Sequence, residues 1–162
     1  MGRAGVGNGV VENDLGGLGG LFDDPNHVLN AEGRLFFDRA YTIKILATLD
    51  APRGFLFAAL ARYWDGQPFA RQIFLTDLGQ GFTVLQATPR GETRLTYNMT
   101  VDVRAERAIA LGRRSLVLAV DVFNLLNQAL ETAEDVRSGP TFRVTTGIQP
   151  ARTVRLEGRL RF

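Results

Sequence analysis

Between Arg94 and Glu106 apolar and polar residues alternate without a break. Leu95, Tyr97, Met99, Val101, Val103 and Ala105 fall on one side, and Arg94, Thr96, Asn98, Thr100, Asp102, Arg104 and Glu106 on the other. A helix turns about 100° per residue and would scatter both sets around its circumference. A period of two sustained this long demands an extended strand with one dry and one wet face.

The same period recurs elsewhere. Tyr41, Ile43, Ile45, Ala47 and Leu49 oppose Thr42, Lys44 and Thr48. Phe55, Phe57, Ala59, Ala61 and Tyr63 oppose Arg62, with Leu56 and Leu60 making that side less clean. Leu116, Leu118, Val120 and Val122 oppose Ser115 and Asp121, beside Val117 and Phe123. Last, Val154, Leu156, Gly158, Leu160 and Phe162 oppose Thr153, Arg155, Glu157, Arg159 and Arg161. The pattern predicts an all-β chain with an antiparallel up-and-down sheet of about five strands. Asp50–Gly54 and Gly112–Arg114 are short reversals, whereas residues 65–93 and 128–151 are long, Gly- and Pro-containing connections. Residues 1–33, rich in Gly, Asn and Asp and without period, read as a long loop ahead of the strands of 34–162.

Alternation alone also suits a soluble sandwich or small barrel, so a small soluble β-sheet binding module stays open as the alternative. Three features favour the C-terminal part of a transmembrane β-barrel. Connection lengths alternate, as short turns on one side of a membrane and long loops on the other require. Tyr41–Leu49, Phe55–Tyr63 and Tyr97–Ala105 each reach the roughly 9–11 residues that a tilted span needs. With the short turns on the periplasmic side, Tyr41, Tyr63 and Tyr97 fall at the outer interface and Phe55 and Phe162 at the inner one, as two aromatic girdles. In that arrangement Lys44, Arg62, Asp102, Arg104, Asp121, Arg155, Glu157 and Arg159 face the lumen, and Ile43, Ile45, Phe57, Val101, Val103, Leu118, Val120 and Leu156 face lipid.

Composition removes other classes. The chain has no cysteine, hence no disulfide framework, thiolate metal site or cysteine nucleophile. Nineteen basic residues against seventeen acidic ones give no field that would favour nucleic acid. The most apolar run, Leu116–Leu126, is interrupted by Asp121 and Asn124 and is too short for a membrane helix. No signal-peptide pattern opens the sequence, so if the chain is exported its signal is expected upstream. His27 stands alone and reads as a loop residue, and no metal or other cofactor is expected. Gly16–Gly20 does not join a strand to a helix and is no phosphate cradle. Arg155, Arg159 and Arg161, with Glu157 among them, read as a solvated face. Asp121 lacks a nucleophile or histidine at a workable spacing, so it reads as a charge paired with arginine on an adjacent strand and the chain as no enzyme.

Val101-Asp102-Val103-Arg104, Leu118-Ala119-Val120-Asp121-Val122-Phe123-Asn124-Leu125-Leu126-Asn127 and the ending Arg152–Phe162 resemble the closing strands of TonB-dependent outer-membrane receptors. The Asp-Val-Phe-Asn-Leu-Leu-Asn wording is the most specific part. Gly33–Tyr41 and Tyr63-Trp64-Asp65-Gly66-Gln67-Pro68-Phe69 look like the Oar-like branch, whose members often carry a carboxypeptidase-regulatory-like domain. The resemblance implies a larger barrel in the outer membrane of a Gram-negative cell, plugged by an N-terminal domain and importing a scarce nutrient with energy coupled through TonB. It also implies contacts with outer-membrane lipid, with the plug and remaining strands, and with the barrel-assembly machinery through a C-terminal signal of Leu156, Leu160 and Phe162. These strands by themselves are not expected to be import-competent.

Overall fold

The computed structural model describes residues 29–30, 33–34, 38–77, 79, 83–89 and 91–162. The span 1–33, expected as a loop, lies outside the described residues apart from Leu29, Asn30 and Gly33, as do His27 and Gly16–Gly20.

In chain order, β1 (Thr42–Ala51) reverses through one 3-10 turn, Pro52–Gly54, into β2 (Phe55–Trp64). Four short strands follow, β3 (Pro68–Phe69), β4 (Gln72–Leu75), β5 (Thr83–Gln86) and β6 (Thr93–Arg94). Next come β7 (Asn98–Leu111) and β8 (Arg114–Phe123), then β9 (Glu131–Glu134), β10 (Thr145–Ile148) and β11 (Thr153–Arg161). The fold is all-β, and β1-β2-β7-β8-β11 form one five-stranded sheet in chain order with antiparallel neighbours throughout.

Both short turns have a steric reason. Arg53 and Gly54 have positive φ, and a Cβ on Gly54 would stand 2.6 Å from the Ala108 carbonyl oxygen, so only glycine lets this turn lie against β7. Gly112, at φ 63, reverses β7 into β8 with Arg113.

The third sheet strand begins at Asn98 and not at Leu95, because the Leu95 amide bonds the Gln67 carbonyl at 2.9 Å and Thr93–Arg94 pair with Pro68–Phe69. It also runs on to Leu111, past the alternation, which Arg107 and Ala108 interrupt while the ladder to β8 continues.

The chain divides into two compact units. One is the five-stranded sheet with residues 124–130 and 149–152. The other includes 65–97 and 131–148, of which 65–93 and 131–148 were expected as irregular loops. These segments instead form three ribbons, β3–β6, β4–β5 and β9–β10. Phe69, Ala70 and Val136 are buried in this unit, where Gln72 donates its amide to the Val136 carbonyl (2.9 Å) and accepts from the Ser138 amide (2.6 Å).

Candidate functional site

Residues paired across an antiparallel ladder point to the same side of the sheet, so register assigns the faces. One row reads Ala47, Ala59, Val103, Val122, Val154, and the next Leu49, Phe57, Ala105, Val120, Leu156. The eight residues expected on the dry side, from Ile43 to Leu156, share this face. The opposite rows read Thr48, Ala58, Arg104, Asp121, Arg155 and Asp50, Leu56, Glu106, Ala119, Glu157. Lys44, Arg62, Asp102 and Arg159 lie on this second face with them.

The large apolar side chains of the first face are exposed, while part of the charged face is buried. On the apolar face Ile45 is 61% exposed, Leu118 47% and Leu156 76%. On the charged face Asp121 is 5% exposed, and Val117 and Ala119, which precede it on the same side of β8, are also buried. Alanines at 47, 59 and 105 between the bulkier Leu49, Phe57 and Val120 leave a shallow trough of about 390 Å³ on the apolar face. A smaller hollow of about 100 Å³ on the charged face is lined by Leu46, Leu60, Phe123, Asp102, Arg104 and Asp121.

The charges form a ladder across the sheet. Arg62 on β2 meets Asp102 on β7 at 2.8 Å. Arg104 on β7 reaches Glu106 at 2.8 Å, Asp121 on β8 at 3.0 Å and Glu157 on β11 at 3.4 Å. Arg155 returns to Asp121 at 3.0 Å, and Arg159 pairs with Glu157. Asp121 is therefore paired with arginine on both adjacent strands, matching the expectation for it. Lys44 has no ion-pair partner among the described residues.

The segment Asp121–Asn127 owes its spacing to two asparagines that sequence reasoning missed. Asn124 and Asn127 both have positive φ, 50 and 52, a conformation that asparagine tolerates better than most residues. Their side chains bind the connection after β8 to the one before β11. Asn124 donates Nδ2 to the carbonyls of Gln128 (3.0 Å) and Pro150 (2.8 Å) and accepts the Gln128 amide on Oδ1. Asn127 Oδ1 accepts the Arg152 amide at 2.9 Å. The Asn124 amide itself donates to Asp102, which thus serves a turn and an arginine together.

The aromatics lie at the sheet's two ends. Tyr41 precedes β1, Tyr63 is near the end of β2 and Tyr97 precedes β7, all toward the longer connections. Phe55 opens β2 at the short-turn end, and Phe162 follows β11 there. Phe55 stacks parallel to Phe57 with ring centres 6.0 Å apart. Arg107 lies 4.9 Å over Phe55 and Arg114 5.0 Å over Phe162, two contacts not foreseen from sequence. Leu156 and Leu160 share the exposed apolar side of β11, and Phe162 beyond them is also exposed.

In the other unit, Asp135 takes a 2.7 Å ion pair from Arg137, whose hydrogen bonds hold its carboxyl down to about 2 against the opposing effect of burial. Arg143 pairs with Glu134 at 2.7 Å. Among the described residues no cluster of three or more His, Cys, Asp or Glu could hold a metal ion, and no helix is long and apolar enough to cross a membrane.

Comparison with protein-family models, with curated proteins and with solved structures finds no match.

Proposed function

We propose that this sheet is the C-terminal, lipid-embedded part of an outer-membrane β-barrel of the TonB-dependent receptor kind, with no enzymatic activity. The exposure of the apolar face carries the reading. Ile43, Ile45, Leu49, Phe57, Leu118, Val120, Val154, Leu156 and Leu160 are all exposed on one face. Burying one such side chain fully stabilises by about 1.5–3 kcal/mol, so this face forgoes on the order of 10 kcal/mol in water, as much as the whole stability of a domain. Lipid removes that cost at once, and the ion-paired face is suited to a hydrated or plugged lumen.

The described sheet has two edge strands, β1 and β11. Unpaired strand edges are not viable in hydrocarbon, and closed barrels start at about eight strands. The complete receptor therefore supplies further strands to both edges, together with a plug that covers the charged face and couples to TonB. The function of the whole is energy-coupled uptake of a scarce nutrient, in which these strands form wall and lumen lining.

Expression of the complete gene tests this. The protein should partition with the outer membrane and migrate differently in unboiled and boiled detergent gels, as closed barrels do. Recovery as a soluble periplasmic protein with one mobility would replace this reading with a soluble β-sheet binding module whose apolar face is covered by protein.

A further inference from the structure

Two arginines interrupt the apolar face, both toward its short-turn end. Arg107 pairs in the ladder with Phe55 and Leu118, and Arg114 opens β8 directly after the Gly112-Arg113 turn. Both are exposed. Each guanidinium lies over an aromatic ring of the same end, Arg107 over Phe55 and Arg114 over Phe162. The ring shields the flat side of the guanidinium and leaves its N–H edge free to donate. On the charged face Arg62, Arg104, Arg155 and Arg159 have carboxylate partners, and Lys44 and Arg161 have no ion pair among the described residues. Arg107 and Arg114, and Arg53 and Arg113 in the adjoining turns, have none among the described residues.

A lipid-facing charge is costly at mid-bilayer and tolerated at headgroup level, so these arginines mark the height of the phosphates if the face is in lipid. Resting on the barrel reading, we propose that Arg107 and Arg114, supported by Arg53 and Arg113, form a rim that recognises the phosphate of anionic phospholipid in the leaflet on the short-turn side. The guanidinium fork matches a phosphate in bidentate geometry. Concentrated positive charge selects a lipid of net negative charge over a zwitterionic one.

The test uses the complete receptor in vesicles of phosphatidylcholine with one fifth phosphatidylglycerol. A fluorophore is placed on a single cysteine at Leu111, an exposed position at the rim, which the absence of native cysteine makes possible. Bromine quenchers are carried on the acyl chains of either lipid. Quenching per mole should be at least about threefold greater from phosphatidylglycerol, fall to parity in Arg107→Gln/Arg114→Gln, and persist largely in the Lys/Lys variant, which keeps the charge. Equal quenching by both lipids in the unaltered receptor would overturn the rim and leave the barrel standing. Absence of quenching by either lipid would overturn the barrel reading itself.

Discussion

The Asp121 carboxylate on β8 takes two hydrogen bonds from one guanidinium nitrogen of Arg104 on β7, at 3.0 and 3.1 Å. Arg155 approaches the same carboxylate from β11, so this nearly buried group ties three neighbouring strands. Asp121→Ala leaves Arg104 with its remaining carboxylates but removes the anion from the middle of the ladder. A destabilisation of about 3 kcal/mol is expected, against 1 kcal/mol or less for Arg155→Ala, whose side chain is 58% exposed. Urea unfolding of the folded protein followed by gel mobility measures both. Equal effects would show that Asp121 is not the hub.

Asn124 combines a left-handed backbone with side-chain bonds to Gln128 and Pro150. Asn124→Ala should lose the bonds and strain the backbone, costing about 2–3 kcal/mol, while Asn124→Gly should relieve the strain and cost about 1 kcal/mol less than alanine. Ranking the two variants by unfolding midpoint checks the split. Alanine as stable as glycine would deny the backbone part.

The faces of the sheet were legible in the sequence because side chains of one strand alternate whatever the neighbours do. Arg104, Asp121 and Arg155 therefore fall on polar faces from the alternation alone, and the ladder joins them in a single row. The segments 65–93 and 131–148 were not legible. Their ribbons are two to four residues long, too short for a period to show, and rest on links such as Gln72 to Val136 that no local pattern announces. Asn124 and Asn127 could have been suspected from asparagine's tolerance of positive φ, but their partners at Pro150 and Arg152 are distant in sequence. Arg107 was missed because it stands where the alternation lapses.

Asp135 gives a pH signature outside the sheet. Arg137 lowers its carboxyl to about 2 in the folded state, below the ordinary unfolded value near 4. Its contribution to stability is thus complete above about pH 5, and is lost as pH falls from there through about 2. Protection of the β9–β10 amides, referred to the intrinsic exchange rate at each pH, should fall over that window, and Asp135→Asn should remove this part of the dependence. An unchanged acid profile in the variant would assign the acid sensitivity elsewhere.

Phe162 offers an exposed ring beyond β11, on the side of Leu156 and Leu160. In the proposed role as an assembly signal, Phe162→Ala in the complete receptor lowers its outer-membrane level several-fold while transcript is unchanged. Quantitative blotting of membrane fractions reads this. An unaltered level would leave Phe162 only its contact with Arg114.

The facing of β7 tests the central claim most directly. Val101 lies on the exposed apolar face and Thr100 and Asp102 on the opposite one. In the complete receptor, a fluorophore on a single cysteine at Val101 should be quenched by lipid-borne quenchers, and a lone cysteine at Thr100 should react with a small water-soluble thiol reagent and show no lipid quenching. Lipid quenching at both positions, or at neither, would contradict a sheet with lipid on one face and a wet lumen on the other.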